Sequence, residues 1–316
     1  MTVTSPGSQQ PGPIADDLEL DATSTLSPLA TARAAGARRR VRIPVPGRLS
    51  GRPGLWIGVV LLGIIVVACV GAPLFTSLSP TSLDPVNPLA APFSAGHPLG
   101  TDEFGRDILS RILYGGRYDL GIAFGATLVT LIVGTAVGLA SGYLGGWFDA
   151  IVMRVVDLFF AFPFVVLVIA IIAALGPGLF NLYIALWVAS WVSYARIAHA
   201  QTLSAKGYGY VIAAKCLGFR RWRIMVRHVL PTILPLVTTF AMVDAVGNVL
   251  LGASLGFLGV GIRQPTPEWG AMISGAQSYI LSNPTLALFP GLALVLLGVS
   301  LSLIGDGLND ALRGNA

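Results

Sequence analysis

The sequence predicts an all-α integral membrane protein with six transmembrane helices and both termini in the cytoplasm, and three observations predict it. The first is composition: 54% of the 316 residues are hydrophobic and 11% charged, against roughly 25% charged in soluble domains. Together with a mean hydropathy of +0.76, this points to a bilayer as the solvent. The second is length. Six continuous apolar stretches reach about the 20 residues that a helix needs to cross the hydrocarbon, and they lack the period-2 alternation of a membrane barrel strand. The third is the placement of Lys and Arg, which sets orientation because cytoplasmic loops carry an excess of both.

Taken in order, residues 1–54 are rich in Ser, Thr, Pro, Gly and Ala and end in an Arg-rich run, ARRRVRIPVPGR. Nothing in them can build a core, so they read as a disordered cytoplasmic tail. The first apolar run starts near Leu55, too far in and too long for a signal-peptide h-region, and reads as an uncleaved first span. The six spans are 55–75, 120–144, 155–175, 179–197, 232–258 and 285–304. The membrane region therefore occupies 55–312, with an external loop at 78–118, a cytoplasmic loop at 200–231 and a C-terminal tail at 313–316.

With the N-terminus inside, sixteen of the 20 Lys and Arg residues fall on inner segments. They are Arg33, Arg38, Arg39, Arg40, Arg42, Arg48, Arg52, Arg154, Arg196, Lys206, Lys215, Arg220, Arg221, Arg223, Arg227 and Arg313. Only Arg106, Arg111, Arg117 and Arg263 fall outside. A net charge of +5 raises nucleic acid or anionic surfaces as partners, but its one-sided distribution assigns it to topology, and no nucleic-acid partner is expected. Cys69 and Cys216 lie on opposite sides of this topology, so no disulfide is expected.

Small residues recur at four-residue spacing in the second span (Gly121/Gly125, Gly134/Gly138, Gly138/Gly142) and in the fifth (Gly252/Gly256). Such spacing lets helix backbones approach closely in lipid, either within the chain or between subunits. Two external loops carry more than linkers need: 96–117 is dense in charge, and 259–270 (GVGIRQPTPEWG) is rich in turn residues. They read as recognition loops or as caps over the helix ends.

Catalytic chemistry is absent from the sequence. Neither Lys206 nor Lys215 follows a Gly, so no phosphate-cradling G-K-[ST] exists. His97, His199 and His228 are scattered, no metal-ligand spacing is present, and no G-x-S-x-G occurs. The expectation is a chain that is not an enzyme and holds no cofactor or metal. Asp157 lies near the inner end of the third span, where the interface hydrates it. Asp244 falls near the middle of the fifth, where an Asp costs roughly 2.5–3.5 kcal/mol on insertion scales and marks a functional site by default. Local satisfaction by Asn248, one turn on, is the alternative.

Residues 208–231 (YGYVIAAKCLGFRRWRIMVRHVLP) hold five Lys/Arg, one His and no acid between two spans. Trp222, Met225, Val226, Val229 and Leu230 form the apolar stripe of an amphipathic helix, and Arg220, Arg223 and Arg227 form a basic stripe beside it. Pro231 is expected to break or re-aim that helix. A shorter helical piece precedes it, ending where Gly218 suits the φ > 0 of a helix C-terminus. By composition the stretch rests on anionic lipid or docks another protein.

The spacing Ala213–Ala214, then Gly218, then Leu230–Pro231 resembles the cytoplasmic "EAA" loop of permease subunits in binding-protein-dependent ABC importers. HPLGTDEFGRDILSRILYGGR (97–117), SGYLGGWFD (141–149), GFRRWRIMVRHVLP (218–231), LGFLGVGIRQPTPEWGAMI (255–273), LFPGLALVL (288–296) and GDGLNDAL (305–312) extend the likeness. They are similar to the C-type permease of dipeptide, oligopeptide and nickel importers, in the family's order from about 55 to 312. One residue departs: Ile212 stands where the family loop carries its Glu.

The resemblance implies the ABC type I importer permease fold in the bacterial cytoplasmic (inner) membrane. It implies a B-type permease partner, two cytoplasmic ATPase subunits or one fused pair that bind the ATP and Mg, and an extracytoplasmic solute-binding protein. Ala213, Ala214, Gly218, Arg220, Arg221, Arg223, Leu230 and Pro231 would then form the ATPase-coupling loop. Asp244 is the candidate on the translocation path. A stand-alone secondary transporter or channel is the alternative, although such proteins usually show inverted repeats or intramembrane ion sites.

Overall fold

The computed structural model describes Thr2 and residues 53–94 and 96–313. The 1–54 tail expected to be disordered lies almost wholly outside them, as do residues 314–316. Among the described residues every named element is helical. α1 (Pro53–Val70) and the one-turn α2 (Ala72–Phe75) open the chain; α3 (Ile108–Gly121) runs through a π turn (Ile122–Ala126) into α4 (Thr127–Leu144). α5 (Gly146–Phe160), α6 (Phe164–Leu175) and α7 (Leu179–Ala205) follow. Next come α8 (Gly209–Cys216), α9 (Arg221–Ile224), a second π turn (Met225–Val229) and α10 (Leu230–Phe257). α11 (Trp269–Ala276), a short 3₁₀ turn and α12 (Thr285–Arg313) close it.

Four continuous helical stretches are long and apolar enough to cross a bilayer: Pro53–Val70, Ile108–Leu144, Arg221–Phe257 and Thr285–Ala311. α5 and α6 supply a fifth if counted as one broken span, for they meet at 88°. The expected straight span over 155–175 is thus corrected. Pro163 has no N–H to donate and biases Phe162 away from helix, so the ladder stops there. α7 has the length, at 27 residues, but it is less apolar, because Ser190, Tyr194 and Thr202 sit on its buried face.

α7 is the hub. Its contact with α4 is the most extensive in the molecule, and it also packs on α6, α10 and α5. The glycines of α4 make that contact possible: a Cβ at Gly134 would strike the Trp191 carbonyl and Tyr194, and one at Gly142 the His199 carbonyl and Thr202. Gly121 and Gly125 accommodate the Tyr183 ring, Gly252 faces Ile122, and Gly256 faces Glu268. The small-residue spacing therefore serves packing within the chain.

α3 starts twelve residues before the expected span, because Asp107 caps it by accepting from Ser110 N at 2.7 Å. Residues 78–94 and 96–107 fold over the ends of α3, α11 and α12 as a cap. Ser110 Oγ donates to the Leu78 carbonyl at 2.9 Å and Arg111 to the Pro80 carbonyl at 3.0 Å. Ile108, Ala276 and Leu286 pack beneath it. The charge of 96–117 resolves into ion pairs. Asp102 meets Arg106 Nε at 2.6 Å and Arg111 Nε at 3.5 Å, and His97 Nδ1 meets Asp107 at 3.0 Å. α11, eight residues long, begins inside the turn-rich stretch 259–270.

Candidate functional sites: a basic loop and an intramembrane acid

The loop between α7 and α10 is anchored at both ends. Lys206 Nζ donates to the Gly142 carbonyl at 2.9 Å, tying the loop entry to the end of α4. Tyr210 Oη lies 2.6 Å from Thr232 Oγ1, tying α8 to the start of α10. Val211 and Ala214 are buried in a cluster with Leu139, Ile224, Met225 and Val229. At its C-terminus α8 unwinds through Gly218 at φ +75. Phe219 N and Leu217 N return to the carbonyls of Ala214 and Ala213, the pairing that a left-handed residue allows.

What remains uncovered is apolar and basic. Ile212, Leu217 and Trp222 are 50%, 73% and 71% exposed, and Ala213, Lys215, Gly218, Arg220, Arg221, Arg223 and Arg227 are exposed with them. None of these basic residues forms an ion pair among the described residues, while Arg223 lies 5.3 Å from the Phe219 ring centre. A cleft of about 510 Å³ opens beside α8, lined by Tyr143, Lys206, Val211, Ile212, Lys215 and Arg221 among others.

Two expectations are corrected here. Trp222 does not share the buried stripe of Met225 and Val229: it is 71% exposed, and Ile224 takes the inward position beside them. Pro231 does not break the helix: it occupies the first turn of α10, where its missing N–H is tolerated, and the helix continues to Phe257. Leu230 is half-buried and Pro231 exposed. Of the two alanines, Ala214 points inward and Ala213 outward, so Ala213 belongs to the open surface.

Asp244 sits half-buried near the middle of α10. Its Oδ2 accepts from Tyr194 Oη at 2.8 Å and from Asn248 Nδ2 at 3.1 Å. Asn248 Nδ2 also donates to Thr127 Oγ1 at 3.0 Å, so the network joins α4, α7 and α10. Asn248 was legible as the i+4 neighbour; Tyr194, on another helix, was not. Asp157 is paired, with Arg196 at 2.6 Å on the surface. A further polar junction was missed: Asp149 accepts from Ser141 Oγ at 2.5 Å and lies 2.8 Å from His199 Nε2.

A second unexpected group is Glu268, 1% exposed. It caps α11, with its two oxygens accepting from Gly270 N and Ala271 N at 2.7 Å each. The wholly buried Asp119 lies beside it and accepts from Trp269 N at 3.3 Å. Neither carboxyl forms an ion pair among the described residues. Burial pushes the Glu268 carboxyl above the usual glutamate range, against the opposing pull of the two N–H donors. A raised folded-state value means that the protonated form is favoured by folding, so its stabilisation is full at low pH and is lost as pH rises through that value. The unfolding temperature in micelles is expected to fall as pH rises from the ordinary glutamate value, and E268Q to flatten this slope. Parallel slopes for the two proteins would contradict the assignment.

Residues 134–314 match the family model described as binding-protein-dependent transport system inner membrane component. The dipeptide transport system permease protein DppC of Alkalihalophilus pseudofirmus is 40% identical over 256 residues, 81% of this chain and 84% of that protein. The probable D,D-dipeptide permease DdpC of Escherichia coli is 37% identical over 268 residues, 85% and 90%. The glutathione permease GsiD of Pectobacterium atrosepticum is 41% identical over 219 residues, 69% and 73%. Among solved structures, a chain of the inward-facing MetNI methionine ABC transporter superposes with a TM-score of 0.52 at 20% identity. That match covers 65% of this chain and 96% of that one, and speaks for the fold alone. A multi-pass helical chain with an uncovered basic loop and these relatives belongs to the family of inner-membrane, non-catalytic permease components of binding-protein-dependent ABC transport systems.

Proposed function

We propose that this chain is the permease subunit of an ATP-driven importer of peptides or similar small solutes, working by alternating access. The observation that carries the reading is the loop over 200–231: anchored to α4 and α10, yet presenting Ile212, Ala213, Leu217, Gly218 and Trp222 with unpaired cations around them. A lipid-resting helix would bury its large apolar residues on one face; here they stand on a knuckle closed by Gly218, a shape suited to a cleft in another protein. The relatives are permeases for dipeptides, D,D-dipeptides and glutathione, which supports a peptide-like solute.

In this reading the bilayer is crossed six times, α5–α6 forming a broken third span and α7 the fourth. Both termini are cytoplasmic, as the Lys/Arg asymmetry favours. A B-type permease completes the path, two ATPase subunits or a fused pair dock on the coupling loop, and an external binding protein delivers the solute. ATP-driven closure of the ATPases moves the loop, and its ties to Gly142 and Thr232 pass that movement to α4 and α10. Asp244 lies on the path.

Reconstitution with those partners tests the reading, through ATP hydrolysis with and without loaded binding protein. Stimulated hydrolysis is expected; uptake without any ATPase would favour the stand-alone transporter. Ala213→Asp and Gly218→Glu sharpen the test, since no atom lies within 4 Å of a Cβ at Gly218 although its φ of +75 strains any side chain. Both are expected to lower stimulated hydrolysis tenfold or more with membrane insertion intact. Unchanged uptake in both would remove the loop from the mechanism.

A further inference from the structure

Asp244 is a carboxyl group in the middle of a membrane-crossing helix, and no basic side chain among the described residues neutralises it. Tyr194 and Asn248 both donate to Oδ2, and no Lys, Arg or His forms an ion pair with it among the described residues. A carboxyl at this depth is costly unless paired or hydrated. Two donors on one oxygen hold the group in a fixed orientation and leave the other oxygen to an outside partner.

The face beside it is open. Val243, Gly247, Leu250 and Ser254 are exposed at three- and four-residue intervals along α10, with Leu236 exposed two turns before Val243, and Asp244 lies at the edge of this stripe. Gly247, one turn from Asp244, leaves space: a Cβ there would meet nothing within 4 Å. Phe240, one turn in the other direction, is half-buried against Tyr194 with ring centres 5.0 Å apart. A fixed carboxylate beside an aromatic ring and a gap in the helix surface is the pair of features that recognises an organic ammonium, by charge on one side and by cation–π attraction on the other.

We propose that Asp244 holds the ammonium group of the passing solute, making it a specificity-determining residue for solutes that carry a primary amine; this rests on the reading of the chain as a peptide-type importer permease. The carboxylate would then be neutralised only while solute passes. Tyr194, itself wholly buried, is a positioning residue that sets the direction of the carboxyl through α7.

The test is uptake by the reconstituted complete transporter. The probes are alanyl-alanine and its des-amino counterpart, propionyl-alanine, each at a concentration that saturates the binding protein so that delivery does not discriminate between them. The wild type is expected to prefer the amine-bearing solute by about tenfold, the order of one charge-assisted contact. D244N and D244S are expected to bring that preference close to unity by slowing alanyl-alanine alone, and D244E to retain it. Stimulated ATP hydrolysis identifies which variants are assembled, and either neutral variant suffices. An unchanged preference in an assembled neutral variant overturns the proposal, as does an equal loss for both solutes, which is the outcome of a proton-carrying or purely structural carboxyl. Wild type that hydrolyses ATP on loading but moves neither solute overturns the peptide reading together with this inference.

Discussion

Replacing Asp102 with alanine is expected to destabilise the cap over the helix ends by about 3–5 kcal/mol, the loss usual when one member of a buried ion pair is removed. Asp102 Oδ1 accepts from Phe104 N at 2.9 Å and Arg106 N at 3.0 Å, while Oδ2 faces the guanidinium groups of Arg106 and Arg111. Those two side chains are only 5% and 3% exposed, so without the carboxylate two buried cations stay close together with little water to screen them. Arg106 would keep Glu103, at 3.7 Å, and the Phe104 ring, whose centre lies 4.7 Å from its guanidinium, and Arg111 its bonds to the Pro80 and Pro265 carbonyls. Hydrogen exchange is the direct measurement: the amides of 84–107 should lose protection in D102A while those of α7 keep theirs. E103Q is the control, since Glu103 makes the longer and more exposed contact, and less than about 1 kcal/mol should be lost. Retained protection in D102A would mean that the cap is held by its apolar base of Ile108, Ala276 and Leu286 rather than by charge.

Apolar runs were legible because a bilayer demands about twenty residues of one character in succession, and a single sequence shows such runs directly. The first, second, fifth and sixth runs each coincide with a helix that is long and apolar enough to cross. Where charge enters a helix the signal fades. α3 carries Arg111, Arg117 and Asp119 along its length and most of it reads as loop, although Asp107 stands before Ser110 as a recognisable cap. Pro163 was present in the third run, and its local consequence was outweighed by the unbroken apolarity around it. The coupling loop was legible through its local spacing, whereas the inward aim of Ala214 and the outward aim of Trp222 are set by how the two short helices pack on α4 and α10, which no periodicity announces. Pairings between distant helices, Tyr194 with Asp244 and Glu268 with Asp119, lie beyond any local pattern, because they are fixed by which helix packs on which.

Substituting leucine for Gly138 is expected to separate α4 from α7 and to remove most of the folded transporter from the membrane. A Cβ at this position would clash with the Ala195 carbonyl oxygen and crowd the Ala195 backbone, and a backbone cannot swing aside as a side chain can. Overpacking costs about 1–3 kcal/mol where side chains give way, and here the whole helix must move, so the loss should lie at or above the upper end. Lipid supplies no hydrophobic drive to restore the contact, since helix association in the bilayer rests on close packing. Gly138→Ala should already lower the unfolding temperature in micelles. Gly63→Ala is the matched control: nothing lies within 4 Å of its Cβ, and removing a helical glycine should add about 0.5–1 kcal/mol. The consequence extends to transport. Lys206 ties the loop to the end of α4, and Tyr194, which holds Asp244, directly precedes Ala195, the residue Gly138 packs against. If α4 and α7 move as one body, the Gly138 contact is what lets a push on the loop reach the intramembrane acid. A milder Gly138→Ala variant that still assembles should then hydrolyse ATP when the binding protein is loaded yet import less solute per ATP. Uptake that falls only in proportion to ATP hydrolysis would show instead that the two helices need not move together.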